Sequence, residues 1–397
     1  MFQILHRLLC ACLLATLPGL AGAAGFALFE ANADGQGSAF AGTGVTGESA
    51  STIYYNPAAM TLLPGRQISG ALHAIHFSAK FNDGVAGNND GGDAGTLGII
   101  PSLFYAMPVS AHTWFGLGIS APFGLKTEYD PNWQGRVSGI RSEINTVNLN
   151  PSIGVRINPQ LSLGAGFDAM YIKGVLSNAV SADAATGTAT VSGDDWGYGF
   201  NLGLLYELSK DTRMSLAYRS RVKQKLKGDV IFSTGAAANG PARASITLPD
   251  SATFSFLHRL NPQWTVLADI AWTGWNVVQE LRVLRDTGAV LEVTPEHWKD
   301  TLRFSLGAHY QINQRSKLRM GIGYDESPVS DAYRTVRIPD GDRTWLSLGS
   351  GYKITPQDNL DLAYTHVFVK NAPIANGLTG TYQGSVDILG MQYTHAF

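Results

Sequence analysis

Beyond residue 64 the apolar side chains recur at every second position in segment after segment and never gather into a long run. Leu302, Phe304, Leu306, Ala308 and Tyr310 alternate with Arg303, Ser305, Gly307, His309 and Gln311. Leu318, Met320, Ile322 and Tyr324 alternate with Arg319, Gly321, Gly323 and Asp325, and the same holds for Leu161 to Tyr171. Near the end, Leu389, Met391, Tyr393 and Phe397 share one face, with His395 the single break in it. Successive side chains of a strand point to opposite faces, so each segment reads as a one-sided strand. No later apolar stretch approaches the roughly 18 residues of a transmembrane helix. Yet 45% of the chain is hydrophobic, only 15% is charged, and there are 45 glycines. In a soluble sandwich the apolar face would be the core. In a membrane it meets lipid and the polar face lines a lumen.

The first residues choose between these. Arg7 precedes an apolar run from Leu8 to Leu17 that Pro18-Gly19 ends. Ala21-Gly22-Ala23 offers the small residues a signal peptidase needs, so residues 1–23 are expected to be a signal peptide and Ala24 the mature start. The only cysteines, Cys10 and Cys12, lie inside that run, which argues against lipidation and leaves a mature chain with no disulfide or thiolate site. Removing Arg7 from 29 basic residues leaves 28 against 31 acidic ones, a balance with no basic stripe for nucleic acid. An exported chain of alternating strands can satisfy every backbone group in lipid only as a closed barrel.

Tight turns are expected near Val109-His112, Asn158-Gln160, Ser209-Asp211, Asn261-Gln263, Asn313-Ser316 and Thr355-Asp358. Longer polar loops are expected near 82–94, 130–140, 179–192, 229–243, 285–297, 326–342 and 370–381. Six short turns alternating with seven long loops join 14 strands, with both termini on the short-turn side. That is the bacterial outer-membrane arrangement. The fold class is therefore all-β, a 14-stranded antiparallel transmembrane barrel over residues 65–397. Residues 24–64 do not alternate. Gly35 to Gly44 is small and glycine-rich, and Asn56-Pro57-Ala58 reads as a capped turn entering a short helix. This segment either hangs in the periplasm or fills the lumen, and its small residues and low charge suit a plug inside.

The chain resembles the outer-membrane long-chain fatty acid transporters of the FadL type, a family that includes aromatic hydrocarbon importers. The resemblance rests on Ala24-Gly25-Phe26, Asn56-Pro57-Ala58, Phe123 to Tyr129, Asn148 to Ser152, Trp272-Thr273-Gly274-Trp275, Trp298-Lys299-Asp300, Ser327-Pro328-Val329 and Ile338 to Ser347, in order along the mature chain. It implies a 14-stranded barrel closed by an N-terminal hatch, which takes up hydrophobic ligands and releases them sideways through a gap in the third strand. The expected third strand, about His112 to Tyr129, contains Pro122-Phe123-Gly124. Proline removes a ladder donor and glycine loosens the backbone, so the pair predicts a bulge and a local hole. On the residues alone a bulge without an opening is the commoner outcome; the resemblance favours the opening. It also places the Asn56-Pro57-Ala58 plug turn against the third-strand kink.

A fatty acid headgroup calls for a cation. The family's basic positions fall on neutral residues here, around Asn178 and Thr294, so the candidates are Lys173, Arg136 and Lys126, with Arg141 beside them. Each is more commonly a solvated charge, and Lys173 is singled out as turned away from the lipid-facing Phe167, Ala169 and Tyr171. Without an anchor the ligand would be an aromatic hydrocarbon. A lipolytic enzyme would need a serine, histidine and orienting acid together. His258, His309 and His366 supply single histidines only, and His73 and His76 fall on opposite faces of a strand, so neither catalysis nor a metal site is expected. No cofactor is expected. The expected partners are the hydrophobic ligand, outer-membrane lipid and lipopolysaccharide, with the protein a monomer in the outer membrane of a Gram-negative bacterium.

Overall fold

The computed structural model describes residues 24–180, 187–235 and 237–397, so the expected signal peptide lies outside the described residues. Fourteen antiparallel strands close into one barrel. They are β1 (Gln67–Asn82), β2 (Leu97–Pro108), β3 (Thr113–Ser120 and Gly124–Glu128), β4 (Arg141–Arg156), β5 (Leu161–Ala179), β6 (Thr188–Glu207) and β7 (Thr212–Arg219 and Val222–Phe232). Then come β8 (Gly240–Leu248 and Ser251–Arg259), β9 (Trp264–Thr273 and Glu280–Arg285), β10 (Val290–Pro295 and Thr301–Gln311), β11 (Ser316–Asp325), β12 (Arg343–Lys353), β13 (Asp358–Ile374) and β14 (Gly380–Ala396). The ring closes where all 16 residues of β1 pair with β14, from Gln67↔Ala396 to Asn82↔Thr381.

The short turns form for a local reason. Asn158 accepts backbone N–H bonds from Gln160 and Leu161 at 2.9 and 2.8 Å, and Asn261 accepts from Gln263 and Trp264 at 2.9 Å each. Asn313 repeats the pattern. A side chain that bonds its own backbone two or three residues on makes the turn itself. The outer loops are shorter than the sequence suggested at 179–192, 229–243 and 285–297, because polar residues there continue as strands. Val290–Pro295, expected as loop, is the outer part of β10.

The lower wall carries an apolar belt outwards, with Phe304, Leu306, Leu346, Leu348, Leu362 and Leu389 all exposed. The opposite parity is buried, and residues 24–63 pack against it. Ala33 N–H donates to Gln392 on β14 at 3.0 Å, Gly42 N–H to Asp269 on β9 at 2.7 Å, and Ala50 N–H to Ser69 on β1 at 3.2 Å. Ser102 on β2 donates to the Ala31 carbonyl at 2.7 Å. Partners on so many staves, all on inward faces, set the segment inside the ring.

Within it, α1 (Ala33–Gln36) and α2 (Thr52–Tyr55) are single turns, and a 3-10 turn spans Pro57–Leu62 with Asn56 as its cap. The Asn56 amide donates to the carbonyls of Gly44 at 2.9 Å and Leu204 at 3.2 Å. This turn beds onto strand glycines. A Cβ on Gly203 would stand 1.9 Å from Asn56 Oδ1, and one on Gly164 would stand 2.3 Å from Ala58 N. The turn therefore sits against β5 and β6, not against the third-strand kink where the resemblance placed it. Glycine is needed wherever the turn comes that close, and those glycines lie on β5 and β6, with Gly154 on the neighbouring β4 under the Pro57 carbonyl.

Candidate ligand cavity and wall opening

The wall is incomplete between β2 and β3. Their ladder runs only from Leu103↔Ile119 to Pro108↔Trp114. Above it β2 pairs with β1 alone, and Gly124–Glu128 pairs with β4 alone. The break is at Pro122-Phe123-Gly124, the residues singled out from sequence. Its free edge is taken by the N-terminal segment: Leu28 N–H donates to the Pro122 carbonyl and Gly124 N–H to the Phe26 carbonyl, both at 2.8 Å. From the other side, Thr146 Oγ1 on β4 accepts the Phe123 N–H at 3.1 Å.

Phe26 forms the next link. Its ring lies 5.9 Å from Phe123, 4.9 Å from Trp275 and 5.6 Å from Trp298. Aromatic rings in tilted and edge contacts at these distances add attraction beyond area burial. Above this cluster is an apolar cavity of about 270 Å³, walled by Leu125, Ile144, Ile172, Leu226, Ile246 and Val278 with Phe26 and Trp298 in its lining. That is just under the roughly 300–1,000 Å³ usual for ligand pockets.

Above the lipid belt the faces reverse. Phe115, Leu117 and Ile119 of β3 are exposed, yet beyond the break the odd-numbered Leu125 and Thr127 are buried and Glu128 is exposed. Beyond Ser220-Arg221 in β7, the even-numbered Val222 and Gln224 are buried, although Leu216 below is exposed. The breaks in β8 and β10 do the same. A slip of one residue moves every side chain to the other face. Each such break therefore lets one strand present apolar residues to lipid below and to the cavity above.

The proposed headgroup cations do not line this cavity. Lys126 turns outward between the buried Leu125 and Thr127 and pairs with Glu128 at 2.9 Å. Arg136 lies in the outer loop between β3 and β4, with Nη1 donating to the Trp133 carbonyl at 3.3 Å. Lys173 is exposed on the outward face of β5. That strand is unbroken from Leu161 to Ala179, so Lys173 shares parity with Phe167, Ala169 and Tyr171 and belongs to the set it was read as leaving. Arg141 pairs with Glu143. His258, His309 and His366 are apart, beside Thr212, Glu48 and Asp387.

Two inward polar groups were not anticipated. Arg337, from the loop between β11 and β12, is buried and donates to Glu292 at 3.1 Å and to Ser142 at 3.3 Å. Glu296, in the break of β10, is buried and accepts from Trp298 Nε1 at 2.9 Å. Both flank segments that carried the family resemblance, Ile338 to Ser347 and Trp298-Lys299-Asp300, and that adjacency was the available signal.

The family model of the outer membrane protein transport proteins (OMPP1/FadL/TodX) matches residues 14–397. A long-chain fatty acid transport protein of Escherichia coli O6:H1 is 30% identical, with 94% of each chain covered. Outer membrane protein P1 of Haemophilus influenzae Rd is 29% identical, with 88% of this chain and 87% of that one covered. A Pseudomonas aeruginosa FadL homologue of known structure superposes with a TM-score of 0.87 at 25% identity, covering 94% of this chain and 99% of that one. The Pseudomonas putida toluene transporter TodX shares the fold, with a TM-score of 0.72 at 19% identity over 95% and 99% of the two chains. An outer-membrane barrel with these relatives over nearly its whole length, the chain belongs to the OMPP1/FadL/TodX family of outer membrane transport proteins.

Proposed function

We propose that this protein takes up hydrophobic compounds, long-chain fatty acids first among them, by holding them in the apolar cavity and releasing them sideways through the β2–β3 break into the membrane. The observation that carries this reading is the chain of contacts from the cavity through Phe26 to the backbone bonds at Pro122 and Gly124. A ligand that displaces Phe26 loosens the strand edge that closes the break. Hydrophobic tails favour such a path. Each buried CH₂ gains about 0.8 kcal/mol, so a tail of about 16 carbons would resist crossing water. The names of the long-chain fatty acid relatives support the same choice.

On this reading the chain divides into a leader removed at Ala23–Ala24, a plug of residues 24–64 with Asn56-Pro57-Ala58 at its base, and the barrel. It works as a monomer among outer-membrane lipid and lipopolysaccharide, with no cofactor and no catalytic step. Aromatic hydrocarbons are the second reading, favoured by the cluster of Phe26, Phe123, Trp275 and Trp298 under the cavity. The test is Gly124→Arg, which fills the break with a bulky charged side chain. Oleate uptake into cells carrying the folded variant should fall at least tenfold. Wild-type uptake by a correctly folded barrel would exclude the lateral route, and uptake of toluene but not oleate by the wild type would select the hydrocarbon reading.

A further inference from the structure

The charge inside the cavity is uneven. Arg337, the buried cation, is already engaged by Glu292 and Ser142. Lys223, Lys225 and Arg243 reach the cavity edge from strands that turn their side chains outward, and Glu280 is held outside by Arg282 at 2.6 Å. Glu143, also buried and in the lining, sits on the other parity of β4 and is already taken by Arg141 and Asn145. The other elements packed there present Ser142, Ile172, Ile246 and Val278, which carry no charge. Glu296 remains: it is 4% exposed, lines the cavity and has one side-chain donor, the Trp298 indole. The inward set is thus one cation against two carboxyls. A fatty acid bound as its anion would add a second uncompensated negative charge to an apolar space, and an unpaired buried carboxylate is costly.

We propose that Glu296 selects the form of the ligand headgroup, receiving one that brings or shares a proton, a neutral carboxylic acid or an alcohol, and rejecting the bare carboxylate. This rests on the fatty acid reading above and sharpens it. Two carboxyls in one site hold a single proton between them. A fatty acid anion that binds beside ionised Glu296 therefore takes one proton from solvent, no covalent bond changes, and the cavity keeps the charge it had empty. Glu296 lies between the two parts of β10, at the height where the outward neighbours are charged and above the lipid belt. Burial pushes its carboxyl up to about 7, against the opposing pull of the Trp298 bond and Arg337.

The experiment measures binding of decanoate, decanol and toluene to the purified full-length barrel between pH 6 and 9. Uptake of one proton should weaken decanoate binding by roughly tenfold per pH unit above about 7, while decanol binding stays flat. Glu296→Gln should remove the decanoate slope and bind decanoate more tightly than wild type at pH 9. Trp298→Phe keeps the carboxyl but loses its donor, and should move the onset of the slope to higher pH. Heat-modifiable migration reports whether each variant is folded. A flat decanoate profile in wild type, or a slope that survives Glu296→Gln, overturns the assignment. Toluene binding with no decanoate binding at any pH would instead remove the fatty acid reading on which it stands.

Discussion

The two sides of the barrel are built differently. From β11 through β14 to β1 the staves are unbroken by any turn out of the sheet: β11 pairs with β12 along all ten of its residues, and β1 with β14 along all 16. From β3 to β10, five strands are interrupted, and the cavity lies behind the interruptions. An intact ladder keeps one face outward, and on this side only β13 departs from that, at a bulge between Val369 and Ala372 near its outer end. A broken one can bend inward and exchange its faces, which a wall needs if it is to hold a hydrophobic ligand and still stand in a membrane. Rigidity and recognition are thus assigned to opposite sides of one sheet.

The largest effect should come from the bed of the inner segment. In Gly203→Val the new side chain occupies the place of the Asn56 amide, so the Asn56-Pro57-Ala58 turn must leave β6. Conductance of the reconstituted barrel should rise severalfold. Wild-type conductance would mean that the segment does not obstruct the pore. The next effect belongs to the broken side. Phe26→Ala removes a buried ring from the aromatic cluster, a loss of about 3–5 kcal/mol. Amide exchange at Leu28, whose N–H is bonded to Pro122, should accelerate by at least 100-fold, and unchanged protection would uncouple cavity from break. The smallest effect should come from the intact side. Leu348→Ala on the lipid face of β12 should leave uptake and ligand affinity within about twofold of wild type, a surface-type change of about 0.5 kcal/mol. A larger loss would show that both sides take part in recognition.

What could be read from the sequence follows the same division. The belt residues of β10, β11 and β14 were assigned to the correct face because nothing interrupts their alternation within the belt. Asn158, Asn261 and Asn313 announced their turns because the side chain that marks the turn also makes it. The Pro122-Phe123-Gly124 break was visible because proline and glycine act on their own backbone. Facing beyond a break was not visible: nothing local tells whether β7 resumes in or out of phase after Ser220-Arg221. Lys173 failed for a simpler reason, since counting parity along unbroken β5 already puts it with Phe167 and Tyr171. Arg337 and Glu296 were missed because their meeting depends on how a long outer loop folds back over β10.

The bonds of the inner segment across the closure have a consequence for assembly. Ala33 reaches Gln392 on β14 across 359 positions of sequence, while Ala50 reaches Ser69 on β1 just beyond the segment's end. Contacts of such long range form late, after nearer pairings have already ordered the chain. The earliest residues of the mature protein can therefore complete their bonds only when the final strand has arrived and the ring is shut. A barrel short of its last strand would still hold β1 to β13 in order, but it would lack the bonds of Ala33 to Gln392 and of Gln36 to the Ile388 carbonyl. Docking of that segment is in this sense a signal of completion: it is bonded on every side only when the ring is shut.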